Sequence, residues 1–238
     1  NRSVPGYQLR EYSFPMPNLY AIGDIHGQRG MLDMLVEKVP FKKDDEIVFI
    51  GDYIDRGPDS RGVVEAVLEF KLSYPNTTCL RGNHEDMFLD YIKEEGNYPR
   101  GIFTMNGGIE TLHSYGIDPR VGPPKVPPLH MAFFEELGHL HEAGGFIFVH
   151  AGLRPGVPMD EQIEKDMFWM REDFFNSDAD FGKPVIFGHT PMPEILDKLP
   201  RFLGIDTGAA FGGWLTCVQL EDTRIVNTYQ IHSSDLEG

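Results

Sequence analysis

One pattern recurs along this chain and constrains its fold more than any other feature. A short apolar run, usually followed by glycine, ends at a residue that can bind metal or phosphate; the six examples are NLYAIGDIHG, EIVFIGDYIDRG, TTCLRGNHE, GFIFVHAG, PVIFGHT and RFLGIDTG. Short runs rich in β-branched and aromatic residues predict buried strands. Amphipathic patterns at 31–39 and 61–70 predict packing helices between the first strands. Strands alternating with helices predict an α/β fold, in which the polar residues gather at one edge of a sheet.

Two later segments depart from this alternation. Residues 96–142 contain a proline-rich run at 118–128 and then an apolar pattern, Phe133, Phe134, Leu137 and Leu140, that predicts a helix. We expect this segment to be an insertion on the substrate side of the site. Residues 214–220 and 224–231 alternate apolar and polar residues about a turn, which predicts an antiparallel hairpin. No repeat or linker divides the chain, so we expect a single domain over residues 1–238.

Composition limits the classes of partner and compartment. Lysine and arginine total 21 against 37 aspartate and glutamate residues, a net charge of -16 that argues against stable nucleic acid binding. The two cysteines, Cys79 and Cys217, lie in apolar runs, which is typical of reduced core residues and predicts a cytoplasmic protein. No run is long enough for a membrane span, and the first residues lack the apolar core of a signal peptide.

The predicted strand ends supply carboxylate, amide and imidazole groups but no cysteine. The candidate metal ligands are Asp24, His26, Asp52, Asn83, His150 and His189. This composition suits Mn²⁺, Fe or catalytic Zn²⁺ and argues against a closed structural zinc site. Because a carboxylate has two oxygens, Asp52 is the candidate bridge between two divalent metal ions, with Mn²⁺ as the first choice. Two such ions about 3.5–4 Å apart activate water and hold the oxygens of an in-line displacement.

Four further residues fit a displacement at phosphorus. Arg56 and Arg171 are candidate guanidinium groups for a bidentate hold on the phosphoryl oxygens, and Asn83 is a further candidate for substrate binding. His84 is the candidate general acid for the leaving oxygen. Asp55 is the candidate partner that orients the His84 imidazole and favours its charged form.

The motifs resemble those of a known family. GDIHG at 23–27, GDYIDRG at 51–57 and LRGNHE at 80–85, followed by HAG at 150–152 and GHT at 188–190, are similar to the signature blocks of the phosphoprotein phosphatase (PPP) family of metallophosphoesterases. The resemblance extends from about residue 18 to 220. It implies a calcineurin-like metallophosphoesterase fold, an α+β sandwich of two mixed β-sheets flanked by helices, with the metals at the C-terminal ends of strands.

The resemblance also implies roles for individual residues. The first metal would be held by Asp24, His26 and Asp52, and the second by Asp52, Asn83, His150 and His189. Asp55 and His84 would form the acid dyad, with Arg56 and Arg171 on the phosphate. A hydroxide bridging the metals would attack phosphorus directly, without a phosphoenzyme. The short chain and its IDTGAAFGG segment at 205–213 look like the bacterial and phage branch, whose members often act on phosphoserine, phosphothreonine and phosphotyrosine.

Alternatives remain beside this interpretation. Helix-capping turn residues would explain the aspartates and Asn83 but not the histidines. A catalytically silent phosphoprotein-binding module would need neither two metals nor an acid. Symmetrical diadenosine tetraphosphate hydrolases share most of the blocks, so a dinucleotide or an RNA 5' phosphate is the alternative substrate; Asp55 and the LRGNHE block favour a phosphatase. We therefore expect a serine/threonine protein phosphatase that acts on phosphorylated protein or peptide, with phosphotyrosine as a further candidate.

Overall fold

Each of the six apolar runs forms a strand. The computed structural model describes residues 17–99, 101–118, 120 and 125–237, so the amino-terminal segment considered for a signal peptide and part of the proline-rich run lie outside the described residues. The strands are β1 (Leu19–Ile22), β2 (Glu46–Phe49), β3 (Thr77–Cys79), β4 (Leu140–Ala143), β5 (Phe146–Val149), β6 (Val185–Phe187), β7 (Leu196–Lys198), β8 (Phe202–Gly204), β9 (Trp214–Glu221) and β10 (Arg224–His232). The predicted strands are β1, β2, β3, β5, β6 and β8, and the predicted hairpin is β9–β10.

Both predicted helices between the first strands are present. The helices are α1 (Arg29–Lys38), α2 (Ser60–Ser73), α3 (Asn83–Lys93), α4 (Ile109–Ser114), α5 (Pro128–Glu136), α6 (Glu164–Trp169) and α7 (Glu172–Phe175). Asp59 begins α2, because its carboxylate accepts the Gly62 N–H at 2.8 Å. A π-helical turn, Thr104–Gly108, leads directly into α4. Among the described residues, no helix has the length and apolar character needed to cross a membrane.

The helix predicted around Phe133 is shorter than its apolar pattern indicated. It ends at Glu136, Leu137 already has an extended ψ of 130°, and Leu140 begins strand β4 instead of continuing the helix. The prediction for Leu140 was therefore wrong. The physical reason is sheet pairing: β4 pairs with β5 across Gly144 and Gly145, two glycines with positive φ that form the turn between them.

Two mixed sheets result from this order of elements. The first has the strand order β10-β9-β1-β2-β3 and the second the order β4-β5-β6-β8-β7. In the first, β1, β2 and β3 are parallel; in the second, β5, β6 and β8 are parallel. The prediction of two mixed β-sheets flanked by helices is confirmed, and the loops after parallel strands meet at common edges.

Apolar side chains hold the layers together. The space between the sheets is filled from both sides, by residues that include Ala21, Val48, Ile50, Phe148, Ile186 and Leu203. The outer face of the first sheet packs against α1, α2, α3 and α5, and that of the second packs against α6 and α7. Phe133 and Phe134 of α5 are buried in the first of these outer layers. Burial of each such side chain contributes about 1.5–3 kcal/mol, so the strand ends rest on a rigid support.

Candidate active site

The loops after five parallel strands converge on one buried cluster of polar side chains. The loop after β1 carries Asp24 and His26, and the loops after β2 and β3 lead to Asp52 and Asn83. The second sheet adds His150 after β5 and His189 after β6. All six side chains are at least 95% buried. The structure therefore brings together every residue that the sequence proposed as a metal ligand.

Several site residues have left-handed backbone conformations, which non-glycine residues rarely adopt. The residues with positive φ in these loops are His26 (47°), Asp52 (54°), Asp55 (73°), Arg56 (66°) and His189 (63°). Each such conformation costs about 1–2 kcal/mol. Hydrogen bonds between the loops hold some of them: the Asp52 carbonyl oxygen accepts the N–H groups of Ile25 at 3.0 Å and His26 at 2.9 Å. Strain concentrated in this way is common at functional sites.

Asn83, His150 and His189 form one half of the cluster. The Asn83 Oδ1 atom lies 3.1 Å from His150 Nε2 and 2.9 Å from His189 Nδ1. His150 Nδ1 lies 2.9 Å from the Ile50 carbonyl oxygen, so this nitrogen carries the proton and donates it. The opposite nitrogen, Nε2, lies 3.3 Å from Asp52 Oδ2. Although burial opposes charge on His150, this carboxylate raises its pKa above the ordinary value, and metal binding would release a proton held on Nε2. These atoms converge as the ligands of a single cation would.

Asp24 and His26 form the other half. His26 Nδ1 donates to the Ile54 carbonyl oxygen at 2.8 Å, which leaves the lone pair on Nε2, 3.5 Å from Asp52 Oδ2 and in contact with the Arg56 guanidinium. Asp24 Oδ2 accepts the His189 N–H at 3.0 Å, whereas Asp24 Oδ1 is buried without a hydrogen-bond partner. Asp52 Oδ2 thus lies between the two halves, where a bridging ligand would be.

The charges of the cluster fit divalent cations. Burial raises the pKa of Asp24 well above its ordinary value, and the nearby Asp206 and Asp52 carboxylates raise it further. Burial lowers the pKa of His26 well below its ordinary value and that of His189 to about 2, so both imidazoles are neutral. Neutral imidazoles and crowded carboxylates are the donors that a metal ion requires. The buried Nε2 atoms of His84 and His189 have no hydrogen-bond partner.

His84 and Asp55 form a pair beside the cluster. His84 Nδ1 donates to Asp55 Oδ2 at 2.6 Å, and both side chains are fully buried. Burial raises the pKa of Asp55 well above its ordinary value and lowers that of His84 to about 4. The expectation that Asp55 favours the charged imidazole was therefore wrong for the metal-free site, because burial penalises the charge of both partners. The other imidazole nitrogen, His84 Nε2, lies 4.0 Å from Asp52 Oδ2. The ligand atoms of His26, Asp52 and His84 lie within 4.8 Å of one another, so His84 borders the first half of the cluster.

The two candidate arginines differ in position. Arg56 lies in the site: its Nη1 atom is 2.5 Å from His26 Nε2, and its guanidinium carbon is 5.1 Å from the centre of the Phe211 ring. Arg171 is exposed at the residue before α7, and within the described residues no hydrogen bond or ion pair holds its side chain. Its charge is one of several that add to the effect of burial in lowering the pKa of His189. The structure brings only Arg56 into contact with the ligand cluster.

Glu85 was not predicted from the sequence as a site residue, although it ends the LRGNHE block. Its carboxylate accepts four backbone N–H groups, which belong to Asp52 (3.0 Å), Gly82 (2.9 Å), Tyr53 (2.8 Å) and Ile54 (3.3 Å). Burial raises the pKa of Glu85 to about 8, and the N–H groups of Gly82 and Tyr53 oppose that shift. Glu85 joins the loop after β2 to the loop after β3.

The π-helical turn before α4 and α4 itself make a second group of contacts to the site that the sequence did not predict. The Gly107 carbonyl oxygen accepts the Arg56 N–H at 3.0 Å, and Gly107 has a φ of 97°. Thr111 of α4 donates from Oγ1 to Asp55 Oδ1 at 2.5 Å. The NGG sequence indicates a turn, but no pattern in the chain indicates that Thr111 meets a residue 56 positions earlier.

Comparisons with known proteins agree with this geometry. The sequence profile of the calcineurin-like phosphoesterase family matches residues 17–212. Serine/threonine-protein phosphatase 1 of Salmonella typhimurium is 30% identical over 218 residues, covering 86% of this chain and 92% of that protein. Bis(5'-nucleosyl)-tetraphosphatase PrpE [asymmetrical] of Bacillus thuringiensis is 26% identical over 235 residues, covering 87% and 92%. A crystal structure described as a candidate diadenosine tetraphosphatase superposes with a TM-score of 0.68 at 22% identity, covering 94% of this chain and 97% of that one.

The fold and the cluster of buried aspartate, asparagine and histidine ligands define a metallophosphoesterase. The chain belongs to the calcineurin-like phosphoesterase family, as its resemblance to the phosphoprotein phosphatases predicted. It is therefore a hydrolase that acts on phosphoric ester bonds, with aspartate and histidine groups suited to a binuclear metal centre.

Proposed function

We propose that this enzyme is a binuclear metal-dependent phosphatase that removes phosphate from serine and threonine residues of proteins, with phosphotyrosine as a further candidate. The observation that carries the proposal is the convergence of six buried ligand side chains around Asp52 Oδ2, with the His84–Asp55 pair beside them. Such a constellation joins metal sites to a proton donor, which phosphomonoester hydrolysis requires.

The donor atoms divide into two sites in this proposal. Asp24, His26 and Asp52 hold one cation; Asp52, Asn83, His150 and His189 hold the other. Oxygen and imidazole donors without thiolates favour Mn²⁺, with Fe or Zn²⁺ as alternatives. When bound, the two ions activate water for attack on phosphorus and neutralise charge on the phosphoryl oxygens.

The side chains around the ligands carry the remaining steps. Arg56 binds the phosphoryl oxygens from its position next to His26, and Asn83 contributes its amide. Arg171, exposed before α7, adds a second guanidinium when its side chain turns towards the bound phosphate. His84 acts as the acid in its imidazolium form, which the negative charge of a bound phosphate favours. It donates the Nε2 proton to the leaving oxygen and becomes neutral, while Asp55 holds the Nδ1–H and keeps Nε2 directed at the substrate.

Direct attack by water, without a phosphoenzyme, agrees with the position of the cysteines. Cys79 and Cys217 are buried in β3 and β9, and burial raises the pKa of Cys79 to about 11. A thiol nucleophile needs a lowered pKa and access to substrate. Neither condition holds at Cys79, so a cysteine-based phosphatase mechanism has no support here.

The similarity to a relative named serine/threonine-protein phosphatase 1 supports a phosphoprotein substrate. A dinucleoside tetraphosphate is the second candidate, since another relative carries the name of an asymmetrical rather than a symmetrical tetraphosphatase. One observation favours it: the Phe211 ring is 62% exposed beside Arg56 and borders a cavity of about 290 Å³ between Pro191 and Gly213. An exposed aromatic ring next to a phosphate-binding group suits a nucleobase.

Side-by-side assays distinguish the two substrates. Metal-stripped protein is assayed with and without Mn²⁺ on a phosphoserine peptide and on diadenosine tetraphosphate, together with a Phe211→Ala variant. The proposal predicts Mn²⁺-dependent release of phosphate from the peptide, with the variant nearly as active on this substrate as the original chain. Cleavage of the dinucleotide alone, lost in Phe211→Ala, would contradict the phosphoprotein assignment and keep the metal mechanism.

We further propose that residues 1–238 act as one domain in the cytoplasm, with residues 96–142 on the substrate side. Support for the compartment comes from Cys79 and Cys217, which are free and buried. Support for the substrate side comes from Gly107 and Thr111, which contact Arg56 and Asp55. The net charge of -16 argues against nucleic acid as a stable partner.

A further inference from the structure

The carboxylate of Asp55 is held from two directions. On one side, Oδ2 accepts the Nδ1–H of His84 at 2.6 Å. On the other, Oδ1 accepts the hydroxyl of Thr111 at 2.5 Å, and Thr111 Oγ1 also lies 2.9 Å from the Asp55 backbone nitrogen. Asp55, His84 and Thr111 are all fully buried. Water therefore has no access from which to replace the threonine hydroxyl.

The donors and acceptors in this network have one consistent arrangement. A threonine hydroxyl carries one proton, and in Thr111 that proton is directed to Asp55 Oδ1. The 2.9 Å contact between Ser60 Oγ and Thr111 Oγ1 must then be donated by Ser60. Ser60 donates to Thr111, Thr111 donates to Asp55, and His84 donates to the other oxygen of the same carboxylate.

We propose that Thr111 is a positioning residue for the general acid, which acts on His84 through the Asp55 carboxylate. Thr111 fixes the plane of that carboxylate, so that Oδ2 faces the imidazole and Nε2 faces the leaving oxygen. The proposal rests on the assignment of His84 as the acid. It gives residues 101–118 a part in proton transfer to the leaving group as well as a place beside the substrate.

Loss of the Thr111 hydroxyl affects one step of the reaction. Without it, Asp55 Oδ1 has no buried donor from a side chain, and the carboxylate is free to turn away from His84. Removal of a positioned acid costs about 10²–10⁴ in rate, and loss of an outer partner that orients a group costs about 10–100-fold. The effect grows as the leaving oxygen becomes more basic, because only a poor leaving group needs the proton.

The experiment compares Thr111→Val and Thr111→Ser on two substrates. A phosphoserine peptide has a poor leaving group, and p-nitrophenyl phosphate has a good one. For Thr111→Val we expect kcat on the peptide to fall about 10–100-fold with KM unchanged, and kcat on p-nitrophenyl phosphate to fall less than about threefold. Thr111→Ser keeps the hydroxyl and should retain most of the activity on both. Thr111→Ala replaces Thr111→Val if the valine variant does not fold.

Two further variants serve as controls. Ser60→Ala removes an equally buried hydroxyl that contacts the Asp55 backbone and Thr111 but not the carboxylate, so its effect on the peptide should be smaller than that of Thr111→Val. In a His84→Asn background, Thr111→Val should add no further loss, because Thr111 acts only through that imidazole. Bound Mn²⁺ and the melting temperature are measured for every variant.

Each outcome decides between interpretations. A Thr111→Val enzyme that loses activity equally on both substrates, or that loses Mn²⁺, would make Thr111 merely structural and overturn the inference. Unchanged turnover of the peptide would do the same. If His84→Asn itself shows no dependence on the leaving group, the proposed acid is wrong, and this failure is distinct from a failure of Thr111 alone.

Discussion

At the residue scale, Asp52 connects all parts of the site. Its Oδ1 atom accepts the His84 N–H at 3.2 Å, while Oδ2 faces His26 and His150. Burial opposes ionisation of this carboxylate, but the His150 imidazole beside it holds the pKa of Asp52 well below its ordinary value. An ionised aspartate with one oxygen on a backbone N–H and the other facing two imidazoles is suited to bridge two cations.

The role of His84 is tested by His84→Asn. Loss of the proton donor should lower kcat on a phosphoserine peptide by about 10²–10⁴, because the leaving alkoxide is then released unprotonated. Both metal ions should remain, since the six proposed ligands are unchanged; metal content by atomic absorption is the check. If the His84→Asn variant binds one metal ion fewer than the original chain, His84 is a metal ligand instead of the acid.

Gly82 tests the position of the bridge. A Cβ atom at this residue would lie 2.0 Å from Asp52 Oδ1, although the backbone (φ −95°) suits any residue. Gly82→Ala should therefore displace the carboxylate and lower Mn²⁺ affinity by about 10–100-fold. Gly138→Ala is the matched control, because its Cβ would have only an ordinary 3.5 Å contact with Leu80. Equal Mn²⁺ affinity of the two variants in a calorimetric titration would contradict this geometry.

The six proposed ligands were predictable from sequence because each follows a short apolar run typical of a core strand. Their partners were not. Thr111 meets Asp55 across 56 positions, and Phe211 meets Arg56 across an even longer separation. The spacing of residues along the sequence indicates neither contact, because both depend on how α4 and the loop after β8 pack in three dimensions.

At the scale of elements, Glu85 joins the loops after β2 and β3 at the beginning of α3. Four backbone N–H groups donate to its carboxylate and lose that acceptor when the carboxylate is removed. Helix α3 begins only two residues before Glu85. The same loops carry Asp52 and Asn83, so the stability of this junction and the geometry of the site are linked.

Glu85→Gln should weaken that junction. The amide places an NH₂ group where backbone N–H groups point, and each buried donor left unpaired costs about 1–3 kcal/mol. We expect a lower urea midpoint and reduced phosphatase activity, measured by circular dichroism and on a phosphopeptide. Glu69→Gln, at an exposed position on α2, should leave both unchanged. A Glu85→Gln variant as stable as Glu69→Gln would mean that the carboxylate does not hold the loops.

Helices and strands were predictable where the apolar residues follow a single helical or strand period. The prediction failed where pairing with a distant strand determines the secondary structure. The six predicted strands and the hairpin β9–β10 follow their patterns, whereas β4 and β7 were not predicted. Leu140 was assigned to a helix because its spacing from Phe133 and Leu137 is helical, yet it pairs with Val149 in β4–β5. The AlaGlyGly sequence at 143–145 is the local signal that could have identified that hairpin.

At the scale of the whole molecule, two packed sheets direct their parallel strand ends to one place. This arrangement buries Asp24, Asp52 and Asp206 near one another in a protein that already carries a net charge of -16. Their mutual repulsion raises the free energy of the folded state until cations bind. We therefore expect bound metal to add to the stability of the fold.

Metal binding should raise the melting temperature. A ligand present at 100 times its Kd that binds only the folded state adds about 2.7 kcal/mol to the free energy of unfolding. Scanning calorimetry with Mn²⁺ and with a chelator should show this difference, reduced in an Asp52→Asn variant. Equal melting temperatures with and without Mn²⁺ would contradict the link between the cluster and stability.

The most direct test of the central claim is the number of Mn²⁺ ions bound per chain, measured by equilibrium dialysis on metal-stripped protein while peptide phosphatase activity is followed in the same samples. We expect two ions per chain, activity that rises as the second binds, and loss of both binding events in Asp52→Asn. Full activity in the presence of a chelator, or a second ion that binds Asp52→Asn as tightly as the original chain, would contradict it.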